Sequence, residues 1–461
     1  MIQKPWIVIG VITAFGIAFI NAISDPIMKP TFIPPSIQRN GDAKAGYEYL
    51  ITGDYLKSGL PYGYFTVLNG KDSHNYLKRT GKNANVPFGF TVVKANNGID
   101  VVVPTCLQCH AQLLNDSLVI GLGNTTLDFS NFEKQNTFQQ KIATGFMKMI
   151  TPKQYEAASV ILRSFSTIAP LMRTEVAGVN AADRLATLLV AHRDPQTLEW
   201  KDIPILDIPE EVIPTDVPAW WLVKKKNAIF YNGFGRGDFG RFLMLSNILT
   251  VRDTSEASEV FRHFGDVLAY IRSITPPKYP LPINDSLANT GKQLFTVYCS
   301  ECHGSYGADE FFPNLLIPES IIQTDSLLFK ANYQNPQFIQ WFNKSWFAKG
   351  DLPAKLEPFN GYIAPPLDGI WATAPYLHNG SVPDLESVLN SKARPKYWAR
   401  DFKKPVYQIE RMSWNYRIIT DPGEKKMYNT TLKGYSNMGH YFGDILTNKE
   451  RKAVLEYLKT L

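Results

Sequence analysis

Short stretches in which apolar side chains return every three or four positions alternate along this chain with long stretches in which they do not. The first regular stretch, Gly41 to Leu50, reads as an opening amphipathic helix. Helical spacing returns from about Phe132 to Ile150 and from Thr174 to His192. It returns again from about Ser255 to Ile274, where Val260, Phe264, Val267, Leu268 and Ile271 form one stripe. Thr275 to Pro282 then holds four prolines, which forbid a continued helix and favour a stiff, extended connection. Past it, Leu287, Gly291, Leu294, Phe295 and Tyr298 share a helical face. At the far end, Thr447-Asn448-Lys449-Glu450 reads as a capping box before a stripe of Val454, Tyr457, Leu458 and Leu461. Strand-like alternation is scarce. The pattern predicts a mainly α protein with extensive irregular loops, split by a linker at 276–282 into a first domain over 41–275 and a second over 283–461.

Each predicted domain carries the same five-residue motif: Cys106-Leu107-Gln108-Cys109-His110 and Cys299-Ser300-Glu301-Cys302-His303. Two thiols one helical turn apart face the same way and can add across the two vinyl groups of one porphyrin. The next histidine then points its imidazole at the iron. A zinc site would need its cysteine pairs close together in sequence, and these lie in separate domains. A two-residue loop strains a structural disulfide, and a redox pair has no need of a histidine after both copies. The motifs therefore predict two covalently bound haem c groups and two cytochrome c-like domains, with Cys106, Cys109, Cys299 and Cys302 as attachment residues and His110 and His303 as iron ligands.

Composition narrows the class. With 461 residues, 44% hydrophobic and 20% charged, the chain can bury a large core across more than one domain. The formal charge of +6 moves toward neutral once haem propionates are added, so no nucleic-acid partner is implied. The densest basic run, Lys224 to Lys226, reads first as solvated surface and second as a patch for a propionate or a partner. Residues 1–24 have the layout of a signal peptide: a charged Met1–Lys4, an apolar Trp6–Ile20, then Ala22 and Ser24 as small residues. Retained, that segment would be an N-terminal anchor and the sole membrane contact, since nothing after Asp25 is apolar for long enough to span a bilayer. The expected location is the periplasm or cell envelope.

Function turns on what closes the second face of each iron. Two ligands favour electron transfer, whereas an open face can bind peroxide or dioxygen. The other histidines are His74, His192, His263, His378 and His440. His440 lies in Asn437-Met438-Gly439-His440-Tyr441-Phe442, where the chain could fold back over the second haem, and it is the expected sixth ligand there. Met438 is its competitor. His263, just off the buried stripe of its helix, reads as a surface residue, and His74 has no supporting context.

The stretch Pro365-Pro366-Leu367-Asp368-Gly369-Ile370-Trp371-Ala372-Thr373-Ala374-Pro375-Tyr376-Leu377-His378-Asn379-Gly380-Ser381-Val382-Pro383 closely resembles a signature of the di-haem cytochrome c peroxidase superfamily. Asn379, where peroxidases usually carry Asp, and Tyr231-Asn232-Gly233-Phe234-Gly235-Arg236-Gly237-Asp238 resemble the rubber oxygenase branch. That resemblance implies a reactive, five-coordinate first haem and a second haem that stores or relays electrons. It implies His378 near the space between the haems as the candidate catalytic residue. Phe230, Phe234 and Phe239 are candidates to cover the reactive iron, and Trp220 or Trp221 either stands between the porphyrins or packs the core. Calcium occurs between the domains of relatives. Val388 to Lys404 lacks the methionine that peroxidases often use on the second haem, and the first domain has no motif for their catalytic acid. The function implied is an oxidoreductase acting on peroxide or dioxygen, with an electron donor or organic substrate as further partner. The alternative is an electron-transfer cytochrome with both irons six-coordinate.

Overall fold

The computed structural model describes residues 29–134, 137–421, 423–424 and 426–461, so the expected signal segment lies outside the described residues. No helix among the described residues is long and apolar enough to cross a membrane.

The opening helix forms over Ala43–Thr52, with Asp42 accepting a hydrogen bond from Ala45 N at 2.8 Å as its cap. It lies against the helix Phe264–Ser273, and the crossing point is Gly46, where a Cβ would overlap the carbonyl oxygen of Asp266. The second half repeats the device. Its first helix, Asp285–Tyr298, crosses the last helix, Asn448–Leu458, at Gly291, where a Cβ would overlap the carbonyl of Ala453. Small residues at both crossings let two backbones approach far more closely than side-chain packing allows. The capping box at Thr447 and Glu450 is present, each side chain bonding the other residue's backbone N–H.

Two expectations about helices are revised, and one helix is added. The stripe expected from Ser255 to Ile274 is split into Thr254–Phe261 and Phe264–Ser273, because the chain steps at Arg262-His263 to seat Gly265 against the backbone of Asn40. Of the segment 174–192, only Ala182–Ala191 is helical. Gly178 takes a left-handed φ of +84°, and Asn180 pairs with Thr215 as an isolated bridge, so Thr174–Ala181 is drawn out of the helix by partners distant in sequence. A further helix, over Pro152–Ile168 with Pro152 at its first turn, lies outside the segments that the apolar pattern marks.

Strands are short and scattered in small sheets. The one that matters most pairs Phe90–Lys94 with Asp100–Pro104, Val92 opposite Val102, and delivers the chain directly into Cys106. The hairpin Ala111–Leu114 with Ser117–Ile120 follows at once. The halves share their cores. Trp341, Phe342, Phe347 and Leu356 pack into the cluster built on the first half, while Leu114, Leu122 and Trp221 pack into the one built on Phe295, Trp371, Trp414 and Tyr457. Strand Gly235–Gly237 also pairs with Ala354–Leu356.

Candidate functional site

At the first motif, strand Asp100–Pro104 ends and Leu107–His110 closes a single helical turn, with Cys109 N and His110 N bonding the Cys106 carbonyl at 3.2 and 3.0 Å. Cys106 N donates to the Tyr55 hydroxyl at 3.2 Å, which itself donates to Leu50 O at 3.1 Å, so the opening helix fixes the start of the turn. Asn180 Nδ2 lies 3.6 Å from Cys109 Sγ. The His110 ring stacks on Trp220, centroids 4.5 Å apart and planes within 17°. Its Nδ1 is buried with no hydrogen-bond partner, and burial pushes the imidazole down to about 3, leaving it neutral as a metal ligand must be.

The second motif has the same backbone: Cys302 N and His303 N bond the Cys299 carbonyl at 3.2 and 3.0 Å. None of the four cysteines is paired in a disulfide. The surroundings of the histidine differ. His303 Nδ1 lies 2.8 Å from the carbonyl oxygen of Pro365, and because a carbonyl only accepts, Nδ1 carries the hydrogen and the Nε2 lone pair is free. The His440 ring centroid stands 6.1 Å from that of His303. Two imidazoles sharing one iron, with bonds of about 2 Å and each ring centroid about 1 Å behind its nitrogen, need about 6 Å between centroids. The pair therefore fits one iron between them.

His440 is held in place by backbone contacts. It has a φ of +50°, and its N–H bonds Ile322 O at 2.8 Å. The Arg394 guanidinium donates to the carbonyls of Ser387, Val388, Asn437, Gly439 and His440 at 2.6–3.1 Å. Gly439 has a φ of +79° and presses so closely on Gln323 and Thr324 that no Cβ would fit. Met438, the competing ligand, is 50% exposed.

His378 is placed differently. It is buried, with its ring 4.2 Å from that of Tyr362 and its Nε2 3.0 Å from the Tyr362 hydroxyl. That hydroxyl donates to Asp325 O at 2.7 Å, so Nε2 is the donor toward it. Burial pushes His378 down to about 3. Its neighbour Asn379 donates to the carbonyls of Gly434 and Ser436, each at 3.0 Å, and so ties this signature to the loop that carries His440. His74 is exposed beside Asp72, His192 stacks on Trp200, and exposed His263 stacks on Tyr49.

The two tryptophans have separate tasks. Trp220 faces His110, whereas Trp221 is fully buried and donates to Asp368 O at 2.8 Å, three residues beyond the Pro365 carbonyl that holds His303. Phe230, at a φ of +68°, stands between Phe234 and Phe242 at 5.2 and 5.6 Å and is 37% exposed, while Phe239 is buried. The basic run is not solvated surface: only Lys224 is exposed. Lys225 binds Asp368 at 2.6 Å and also Glu310, above the ring of Tyr306, and burial pushes Lys226 down to about 8. Among the described residues there is no cluster of three or more His, Cys, Asp or Glu side chains that could hold a metal ion.

Sequence reasoning misses Asn180, Asp216, Arg394 and the Pro365 carbonyl. Asp216 is drawn in from a loop with no periodic signal: its N–H bonds His378 O at 2.7 Å and its Oδ2 accepts from the Tyr231 hydroxyl at 3.1 Å. Only Pro365 has a signal, lying inside the stretch that resembles a known signature.

The family described as RoxA-like, cytochrome c-like matches residues 361–399. That stretch supplies Tyr362, Pro365, His378, Asn379 and Arg394, and it supports a haem-carrying cytochrome c-like protein. Two proteins of Sinorhizobium fredii (strain NBRC 101917 / NGR234) are similar. Uncharacterized protein y4iM is 24% identical over 363 residues, 71% of this chain and 81% of that protein. Uncharacterized protein y4iJ is 39% identical over 113 residues, 22% of this chain and 18% of that protein.

Proposed function

We propose that this chain is an exported c-type oxidoreductase with two covalent haems, in which peroxide or dioxygen is activated at the haem on Cys106, Cys109 and His110, and the haem on Cys299, Cys302 and His303 stores or relays electrons. The observation that carries the reading is the unequal setting of two identical motifs: His303 faces a second imidazole, His440, and His110 faces none, the other histidines being engaged elsewhere.

Bound iron porphyrin supplies the one-electron chemistry and, where a face is open, a site for a small oxidant. The protein's part follows from its own groups. Pro365 orients His303 and raises its basicity, which favours the ferric state and a lower potential. His110 lacks such an acceptor and is held by stacking alone. The route from Trp220 through Trp221 and Asp368 to Pro365 gives packed and hydrogen-bonded contact between the sites. His378, neutral and donating to Tyr362, serves in this reading as a buried support between the halves.

The test is protein made beside a working cytochrome-maturation system. Its mass should exceed the polypeptide by two haems, and ferric spectra should show one high-spin and one low-spin centre. A bare polypeptide mass overturns the haem assignment, and two low-spin centres would make the chain an electron carrier instead.

A further inference from the structure

Two helices in the first half each turn an apolar face away from the core, and a hydrogen bond joins them. On Tyr62–Asn69, Phe65 packs inward against Phe90, ring centroids 5.3 Å apart, while Tyr64, Val67 and Leu68 share a different side at helical spacing. On Thr137–Ile150, Met147 is buried, and Phe146, Met149 and Ile150 repeat that spacing on a different side. The Tyr64 hydroxyl lies 3.1 Å from the Thr151 hydroxyl. Thr151 directly follows Ile150, and Tyr64 stands one turn from Leu68, so the bond ties one apolar face to the end of the other. Val67, Leu68, Phe146, Met149 and Ile150 are each 56% to 84% exposed. Single exposed apolar side chains are ordinary, but five on two joined helices make a patch of the kind that marks a binding surface.

Charge says which kind of surface it meets. From Tyr62 to Lys71 and from Thr144 to Tyr155 there is no Asp or Glu, and the two stretches carry Lys71, Lys148 and Lys153, all exposed. Among the described residues none of these three is in an ion pair, and Lys148 lies over the ring of Tyr155 at 5.6 Å. The bordering acids are engaged elsewhere: Asp72 accepts from His74 N–H at 3.1 Å, and Glu156 accepts from Asn97 Nδ2 at 3.0 Å. Lys82, over the ring of Tyr62 at 5.3 Å, shares the single carboxylate of Asp100 with Lys94, so that border also has positive charge in excess. The apolar side chains offer no directional groups to a protein partner, and the lysines match the phosphates of an anionic leaflet.

We propose that this face seats the protein on an anionic phospholipid surface. Val67, Leu68, Phe146, Met149 and Ile150 enter the headgroup layer, and Lys71, Lys148 and Lys153 meet lipid phosphates. The contact lies on the bilayer rather than across it, in keeping with the lack of a spanning helix among the described residues. It is separate from any contact made by the N-terminal segment, and it does not depend on what the two Cys-x-x-Cys-His turns carry.

The experiment is hydrogen–deuterium exchange of the full chain with and without vesicles of equimolar phosphatidylglycerol and phosphatidylcholine, read segment by segment. Segments 62–71 and 144–155 should both gain protection, whereas 285–298, in the other half, should not. Vesicles of phosphatidylcholine alone should protect the two segments far less. Lys148→Gln with Lys153→Gln should raise the anionic lipid concentration for half-protection about 30-fold. Val67→Ser with Leu68→Ser should raise it at least about tenfold. Local reading keeps these segments distinct from residues 1–24, and the wild-type result stands whether or not a variant folds. Protection of neither segment or of one alone, equal protection by neutral lipid, or unchanged midpoints in folded variants would each overturn the proposal. So would protection that grows with protein concentration in the absence of lipid, which would mean that a second copy of this chain covers the face.

Discussion

The two Cys-x-x-Cys-His turns are alike in backbone and opposite in environment. Each follows an opening helix that crosses a closing helix at a glycine, Gly46 in one half and Gly291 in the other. Each bonds its histidine N–H to the first cysteine's carbonyl at 3.0 Å. Yet His303 is hydrogen-bonded behind and faced by an imidazole, while His110 is stacked on an indole with its Nδ1 unpartnered. On the proposed reading, the motif would fix where a haem is attached, and residues far away in sequence would fix what its iron can do. A paired, well-oriented imidazole set suits reversible electron storage. A lone and less basic one suits a centre that must change its coordination.

The largest effect expected from this contrast is qualitative. His440→Ala removes the second imidazole, so the low-spin signal of the loaded protein should be lost and the centre on His303 should join the first as high-spin. Electron paramagnetic resonance of the ferric protein reads this directly. A low-spin signal that survives would mean another side chain closes that iron, and a change in the other centre would reverse the assignment of the two sites.

Next in size are the helix crossings. Gly46→Ala and Gly291→Ala each place a Cβ onto a carbonyl oxygen of the partner helix, which must move away. Because backbone cannot yield as a flexible side chain does, each should cost about 3 kcal/mol or more. Thermal unfolding followed at each haem's own absorption should show Gly46→Ala loosening the first centre before the second, and Gly291→Ala the reverse. Equal loss at both centres would mean the shared cores make one cooperative unit.

Much of this frame is legible in the order of residues alone, and the reason is local chemistry. The cysteine spacing, the capping box at Thr447 and the glycine on the helical face of Leu287 to Tyr298 are each carried by side-chain identity within a few residues. The nearness of His440 to the second motif also has a signal, its position just before the last helix, while its part as an iron ligand belongs to the proposal. Pro365's role is not, because the acceptor is a backbone carbonyl and any residue would supply it. The drawn-out segment Thr174–Ala181 misleads for a related reason: its helical spacing is real, but Gly178 and the Asn180–Thr215 bridge answer to partners elsewhere. The basic run at Lys224 likewise gives no hint that Asp368 and Glu310 come to meet it.

Arg394 ranks third. Its five carbonyl acceptors bind the loop of His440 to the turn after Asp384, so Arg394→Met should cost about 2–3 kcal/mol, the scale of charge-assisted hydrogen bonds left unmade. It should also give a mixture of low-spin and high-spin forms at the second centre alone, the His440 loop having lost its clamp. Full retention of the low-spin form would show that Gly439 and the Ile322 contact suffice to place His440.

The smallest expected effect is a pH-dependent one, confined to the first half. Asp216 has a folded-state pKa raised from the usual 3.8 to about 7, so between those values the folded protein holds a proton that the unfolded chain has given up. Stability from this group is therefore full below about 3.8, falls as pH rises toward 7 and is lost above it, where the partly buried carboxylate is charged. A fully realised shift would be worth about 4 kcal/mol at 1.36 kcal/mol per unit. Asp216 is only partly buried and Arg400 draws on its charge, which reduces the expectation to about 1–2 kcal/mol. Asp216→Asn removes the titrating charge while keeping an oxygen for Tyr231, so it should raise the melting temperature at pH 8 and raise it clearly less at pH 5. The opposite order, stabilisation at pH 5 and not at pH 8, would mean that Asp216 is ionised in the folded protein throughout and that Arg400, not burial, governs its charge.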